Sequence, residues 1–212
     1  MPIDVDLDQR LAKIAEATLQ IVEAEGIDGV TIRAVAKLLG GSTTLVTNYL
    51  PTRSALLRNA MEHALRDWSS DLDRVLEDTT GSPRLLGLAR WACTTTDDDP
   101  VLRKLFMELI GRGGPDGDMV DVLREDGRQQ RDLFRDAAQD VQANDPDFLA
   151  DVMHLVLRGF YVASLEDPEL WNSATVTPIV ERLVDLLTTL APNTEATARR
   201  ARSAHTPQFR ST

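Results

Sequence analysis

Cysteine is nearly absent: Cys93 is the one thiol in 212 residues. A single thiol excludes an internal disulfide and a cysteine cluster for zinc, which makes a reducing cytoplasm the expected setting. Aromatic residues make up only 5% of the chain, and the three histidines, His63, His154 and His205, lie far apart with no companion at ligand spacing. Neither a metal site nor a cofactor is expected from them. Asp97, Asp98 and Asp99 are consecutive, and adjacent carboxylates converge poorly on one ion; Asp99 before Pro100 reads instead as a helix cap. No apolar run approaches the roughly 18 residues of a membrane span. The opening MPIDVDLDQR has neither the basic start nor the apolar stretch of a signal peptide, so a soluble, cytoplasmic protein is predicted. G-x-S-x-G, H-E-x-x-H and Cys/His arrangements are missing, and the glycine-rich stretch GRGGPDGD at 111–118 lacks the lysine and serine of a phosphate loop. No catalytic residue is expected.

What is present is an ordinary globular composition, 42% hydrophobic and 27% charged, with enough length to bury a full core. The net charge of −11 looks unsuited to nucleic acid until it is divided along the chain. Residues 1–66 carry −1, residues 67–192 carry −13 and residues 193–212 carry +3. Only the middle is strongly acidic, and electrostatics near DNA depend on which face carries which charge.

Apolar residues recur at three- and four-residue spacing almost throughout, and no stretch alternates long enough for a sheet, so the fold class is all-α with about nine helices. The first helix carries Leu7, Leu11, Ile14, Thr18, Ile21 and Val22 and ends at Gly26. Helices follow at 31–39 and 42–49, then a long one at about 52–78 with Leu56, Leu57, Met61, Leu65, Trp68, Leu72 and Val75 on one side. Ser82-Pro83, Asp99-Pro100, Asp145-Pro146 and Thr177-Pro178 each place a capping side chain before proline. They predict helices near 83–95, 100–111, 117–143, 146–166 and 178–191. Beyond Pro192, low apolar content predicts a disordered tail at 193–212.

The segment IRAVAKLLGGSTTLVTNYLPTRSALL, residues 32–57, fits a helix-turn-helix. Such a motif needs a small residue where its helices cross and a turn residue tolerant of unusual dihedrals. Ala36 supplies the first and Gly40 the second, while Val35, Leu38, Leu39, Leu45 and Val46 lock the pair. Thr31 and Ser42 can cap the two helices. An ordinary helical hairpin with a glycine turn, serving as scaffold in a helical protein-interaction module, is the alternative reading.

Residues 8–57 resemble the DNA-binding domain of the TetR family of transcriptional regulators, in EGIDGVTIRAVAKLLGGS followed by TTLVTNYLPTRSALL. The resemblance implies a three-helix DNA-binding head at 1–52 and an effector-binding and dimerisation body at 53–192. It places Arg33 at a guanine edge and Thr43, Thr44 and Thr47 toward bases, with Thr31, Ser42, Tyr49 and Arg53 on phosphates. It also implies a homodimeric repressor on a palindromic double-stranded operator, released by a small-molecule effector. Two departures stand out: Thr47 occupies a position commonly tyrosine, and Leu50 one commonly aromatic. No charged residue lies between Lys37 and Arg53, which predicts modest affinity because each neutralised phosphate adds to binding.

In the body, Trp91, Phe106, Phe134, Met153 and His154 are the candidate lining of the effector pocket. The acidic background suggests a cationic or neutral effector. The resemblance assigns dimerisation to the helices 146–166 and 178–191, with Leu155, Gly159, Val162, Ala163, Ile179, Leu183, Leu186 and Leu187, and Tyr161 beside them, at the interface.

Overall fold

A computed structural model describes residues 3–93, 99–113 and 120–190. Among them lie nine α-helices, one 3-10 turn and no strand. The helices are α1 (Ile3–Glu25), α2 (Ile32–Leu38), α3 (Thr43–Thr47), α4 (Arg53–Leu76), α5 (Gly81–Cys93), α6 (Asp99–Gly113), α7 (Val120–Asp140), α8 (Pro146–Glu166) and α9 (Ser173–Thr189). The 3-10 turn, Ile27–Gly29, follows α1. The expected tail at 193–212 and Asp97 and Asp98 fall outside the described residues.

The N-terminal helices close around Ile14, Ile21, Val22, Ile27, Val30, Val35, Val46 and Leu56. Two members of the expected apolar faces point out instead, Leu7 on α1 and Val75 on α4. Inside α1 the Thr18 hydroxyl is wholly buried and donates to the Ile14 carbonyl at 2.7 Å, which is how a polar group becomes tolerable in a core. Asn59 of α4 donates from its side-chain amide to the Leu11 carbonyl at 2.9 Å. The first half of α4 therefore belongs to the core of the head, and the expected division at 52/53 marks only where α4 begins.

The body stacks α7 on α8 and α5 on α9 and α7. Its centre is aromatic: Trp68 of α4 meets Trp91 of α5 edge-on at 6.1 Å and Tyr161 of α8 at 5.9 Å, and Tyr161 meets Phe106 of α6 at 5.8 Å. Such contacts add to the area the rings bury. α8 is long and apolar enough by composition to cross a membrane. Here Leu149, Met153, Leu157, Phe160 and Tyr161 turn into the core, and Arg158 pairs with Asp126 across the α7–α8 contact.

Helix ends show where the sequence punctuates. α2 finishes with Gly40 N–H donating to the Lys37 carbonyl and Gly41 N–H to the Ala36 carbonyl, while Gly40 takes φ +66°. This paired closure needs a left-handed residue, which glycine adopts without penalty. α7 ends the same way, with Gln142 N–H on Gln139 and Ala143 N–H on Ala138, but Gln142 carries the left-handed φ of +54°. With no glycine to mark it, that stop falls three residues before the 143 read from periodicity. α9 also departs from expectation: Asn172 caps it by accepting from Thr175 N–H at 3.2 Å, so the helix starts at Ser173 and Pro178 lies inside it. Lying in the second turn, Pro178 offers no N–H to the Ala174 carbonyl, a bond that α9 gives up.

Opposite substitutions at the two matching cap positions should have opposite effects. Gly40→Ala should lose about 1–2 kcal/mol of folding stability and Gln142→Gly should gain up to about 1 kcal/mol. Chemical denaturation of both variants checks the sign at each site.

Candidate nucleic-acid interface

α2 and α3 pack on each other through Val35, Ala36 and Val46, all buried, with Leu39 and Leu45 partly so. Leu38, expected to help lock the pair, is 50% exposed: it lies on the outer side of α2. Gly41 is small for a packing reason, since an added Cβ there would come 3.1 Å from Leu45 Cδ1. With its apolar side inward, this short hairpin leaves polar side chains outside.

Thr31, Arg33, Ser42, Thr43, Thr44, Tyr49 and Arg53 are all exposed, and Thr47 is half-buried. Arg33 and Lys37 lie one helical turn apart on α2 with no carboxylate partner among the described residues. Lys37 and the exposed Asn48 join the candidate surface. The spacing of Arg33 and Lys37 marks them as one helical face in the sequence, whereas the exposure of Asn48 is settled by where α3 ends.

Two capping expectations part company. Thr31 Oγ1 accepts from Ala34 N–H at 3.0 Å, capping α2 and leaving its hydroxyl proton free to donate outward. Ser42 occupies the cap position of α3 but accepts no hydrogen bond from the helix, so its hydroxyl stays uncommitted. The observed cap of α4 is Thr52, which accepts from Ala55 N–H at 3.0 Å.

Arg53 has a different occupation from the phosphate contact expected of it. Its Nε donates to the Val30 carbonyl at 2.9 Å and its Nη2 to the Ile27 carbonyl at 2.5 Å, with Asp28 Oδ1 at 3.7 Å. Those carbonyls belong to the turn between α1 and α2, where the Ile27 carbonyl also accepts from the Val30 N–H at 3.2 Å. Arg53 thereby fastens the start of α4 to that turn, a role that depends on tertiary structure and leaves no trace in local sequence.

The body contains an open groove of about 840 Å³ between α6, α7 and α8. Phe106, Met107, Ile110, Leu123, Tyr161 and Val162 give it apolar walls, and Arg124, Arg128, Arg131, His154 and Arg158 supply its polar groups. Of the five residues expected to line a pocket, Phe106 and His154 do so. Phe134 and Met153 are sealed in the core, and Trp91 packs against Trp68. Periodicity identifies an inward face but cannot tell a cavity wall from a close-packed neighbour. Burial, assisted by the charges of Arg158 and Arg131, pushes the His154 imidazole down to about 4, so it is neutral near pH 7. Tyr161 is raised by burial, and Asp126 is raised by burial against the opposing charge of Arg158.

On the outer side of α8 and α9, Leu155 is 69% exposed, Ile179 51% and Leu186 57%, with Val162 and Gly159 exposed beside them. Ala163 and Leu183 are half-buried. Leu187 and Tyr161, expected on this face, are buried within the chain. Leu187 shares the inner stripe of α9 with Val180 and Val184, and Tyr161 closes the aromatic cluster.

No family model matches the chain. Over 66 residues it is 36% identical to the HTH-type transcriptional regulator BetI of Burkholderia lata, a match covering 31% of this chain and 34% of that protein. The chain thus spans about a third of the length of the curated relatives it matches. Solved structures match far more of it. A TetR transcription regulator from Haloarcula marismortui aligns with a TM-score of 0.77 at 18% identity, over 85% of this chain and 98% of that one. A transcriptional regulator from Saccharomonospora viridis in complex with choline aligns with a TM-score of 0.75 at 14% identity, over 84% and 96%. At such identities the likeness is one of fold.

Two outcomes follow from these side chains. Arg53→Met should lower the melting temperature even without DNA, because the turn carbonyls lose their donors; an unchanged melting temperature would restore the simple phosphate role. For His154, the folded value of about 4 lies below the ordinary 6.5. Its contribution to stability is complete above pH 6.5 and is lost as pH falls toward 4, because the unfolded chain takes up the proton first. His154→Asn should therefore melt with a flatter pH dependence across that window in calorimetry.

Proposed function

Starting from the fold of TetR-family transcriptional regulators that this chain has, we propose that it is a DNA-binding transcriptional repressor, active as a homodimer and released by a small-molecule effector. The observation that carries the reading is the hairpin of α2 and α3. Its apolar side is consumed by packing, and its hydroxyl, amide and guanidinium groups face solvent. Such groups suit base edges and phosphates in a major groove.

In this reading α3 enters the groove, Thr43 and Thr44 meet bases, and Arg33 reaches a guanine edge. Thr31, Ser42, Tyr49 and Lys37 hold phosphates. Arg53 acts as a positioning residue, setting the angle between the hairpin and α4. Because one five-residue recognition helix reads few base pairs, two copies are needed for specificity. The exposed apolar residues of α8 and α9 supply the dimer face, and Gly159, with nothing within 4 Å of an added Cβ, permits close approach of a partner helix.

Effector control has a physical route. The groove wall residues Phe106 and Tyr161 touch each other, and Tyr161 touches Trp68 of α4. A ligand that displaces these rings displaces α4, and with it the hairpin that Arg53 holds. A preference of a few kcal/mol for the shifted state suffices to release DNA.

Selection of bound duplexes from a random library by the full-length protein, at low and near-physiological salt, tests the proposal. A palindrome with half-sites about one helical turn apart is expected. Arg33→Ala should then weaken binding to it by about 1–3 kcal/mol and relax one base position. Failure of a folded dimer to enrich any sequence would favour the helical protein-interaction module, which the cation-free α3 also suits.

A further inference from the structure

The groove between α6, α7 and α8 has a charge character opposite to that of the body around it. Among the described residues four guanidinium groups line it and no carboxylate does. Each has an acidic partner, Asp121 for Arg124, Glu125 for Arg128, Asp151 for Arg131 and Asp126 for Arg158, yet all four carboxylates lie outside the lining. The acidity of the body as a whole therefore does not describe the side chains on this wall.

Two polar atoms sharpen this. Arg158 gives one edge of its guanidinium to Asp126, with Nη2 at 2.5 Å from Oδ2, and lies 4.2 Å from the centre of the Phe106 ring. Its Nη1 is buried without a partner, as is Nδ1 of His154 one turn earlier on α8. Buried donors almost always find an acceptor, and no side chain here provides one. Facing both is Gly127 of α7, where an added Cβ would come 3.3 Å from His154 Cε1 and 3.7 Å from Arg158 Nη2. The missing side chain lets the His154 ring and the Arg158 guanidinium close directly onto the α7 backbone.

We infer that the groove binds an amphipathic organic carboxylate, its head accepting hydrogen bonds from Arg158 Nη1 and the His154 ring and its apolar body lying on Phe106, Leu123 and Tyr161. A carboxylate accepts from guanidinium and imidazole at once, forming charge-assisted bonds stronger than neutral ones. Arg124, Arg128 and Arg131 add a favourable field along the groove. The same field opposes a quaternary ammonium such as the choline bound by the Saccharomonospora viridis protein. This inference rests on the reading of the groove as the effector site, but the binding it predicts can be measured without DNA.

The test is calorimetric titration of the full-length protein with decanoate, decanol and decyltrimethylammonium, three probes with one tail and different heads. Decanoate should bind at least about tenfold more tightly than decanol, and the ammonium should give no binding heat. Arg158→Gln, checked for folding by circular dichroism, should erase the preference for decanoate. Gly127→Leu, which keeps every charge but pushes the His154 ring and the Arg158 guanidinium off α7, should abolish decanoate binding. Equal binding of decanoate and decanol, or decanoate binding unchanged in folded Gly127→Leu, overturns the inference. Parallel measurement of duplex binding separates the two readings. Decanoate binding with no effect on DNA affinity sinks effector control and leaves the anion site standing. DNA binding by a protein indifferent to decanoate does the reverse.

Discussion

The arrangement depends on one helix that runs along a single core continuous from the N-terminal helices to the body. α4 buries Leu56, Leu57 and Met61 beside α1 and Leu72 and Leu76 in the body, and its N-terminus is tied by Arg53 to the carbonyls of Val30 and Ile27. Hydrogen bonds from a charged donor to backbone carbonyls are among the stronger polar contacts. They make the start of α4 and the base of the hairpin one mechanical piece.

The other end of that lever sits in an aromatic cluster. Trp68 contacts rings from α5 and α8, and Tyr161 passes the contact to Phe106 at the groove. Close-packed rings move between discrete arrangements and do not deform smoothly, so a small change at the groove can become a larger one at the hairpin. Coupling through such a chain needs no contact between a ligand and the head.

Charge is distributed to match. The body is strongly acidic overall, while the hairpin exposes Arg33 and Lys37 and the groove shows four guanidiniums. Acidic side chains on the remaining surface oppose non-specific attraction to nucleic acid. α3 itself carries no cation and offers only hydroxyl and apolar groups.

What the sequence determined by itself is local. Helix periodicity, the all-α class and the glycine at position 40 are written in spacing and residue type, because a helix face and a left-handed turn are properties of a few neighbouring residues. Most of the hairpin lock was legible in the same way, Val35, Ala36 and Val46 being apolar at helical spacing. The tertiary structure decided matters involving residues far apart in the chain. Arg53 turned inward because carbonyls at positions 27 and 30 were within reach. Phe134 and Met153 became core while Phe106 became a wall, since the same apolar character serves both. Leu187 faced its own chain while Leu186 faced outward, a difference of one helical step that only the docking of α9 could settle. The charge of the groove likewise followed in part from packing, since Arg131 and Arg158 pair across α7 and α8 with Asp151 and Asp126 yet line the groove themselves, a choice that composition cannot express.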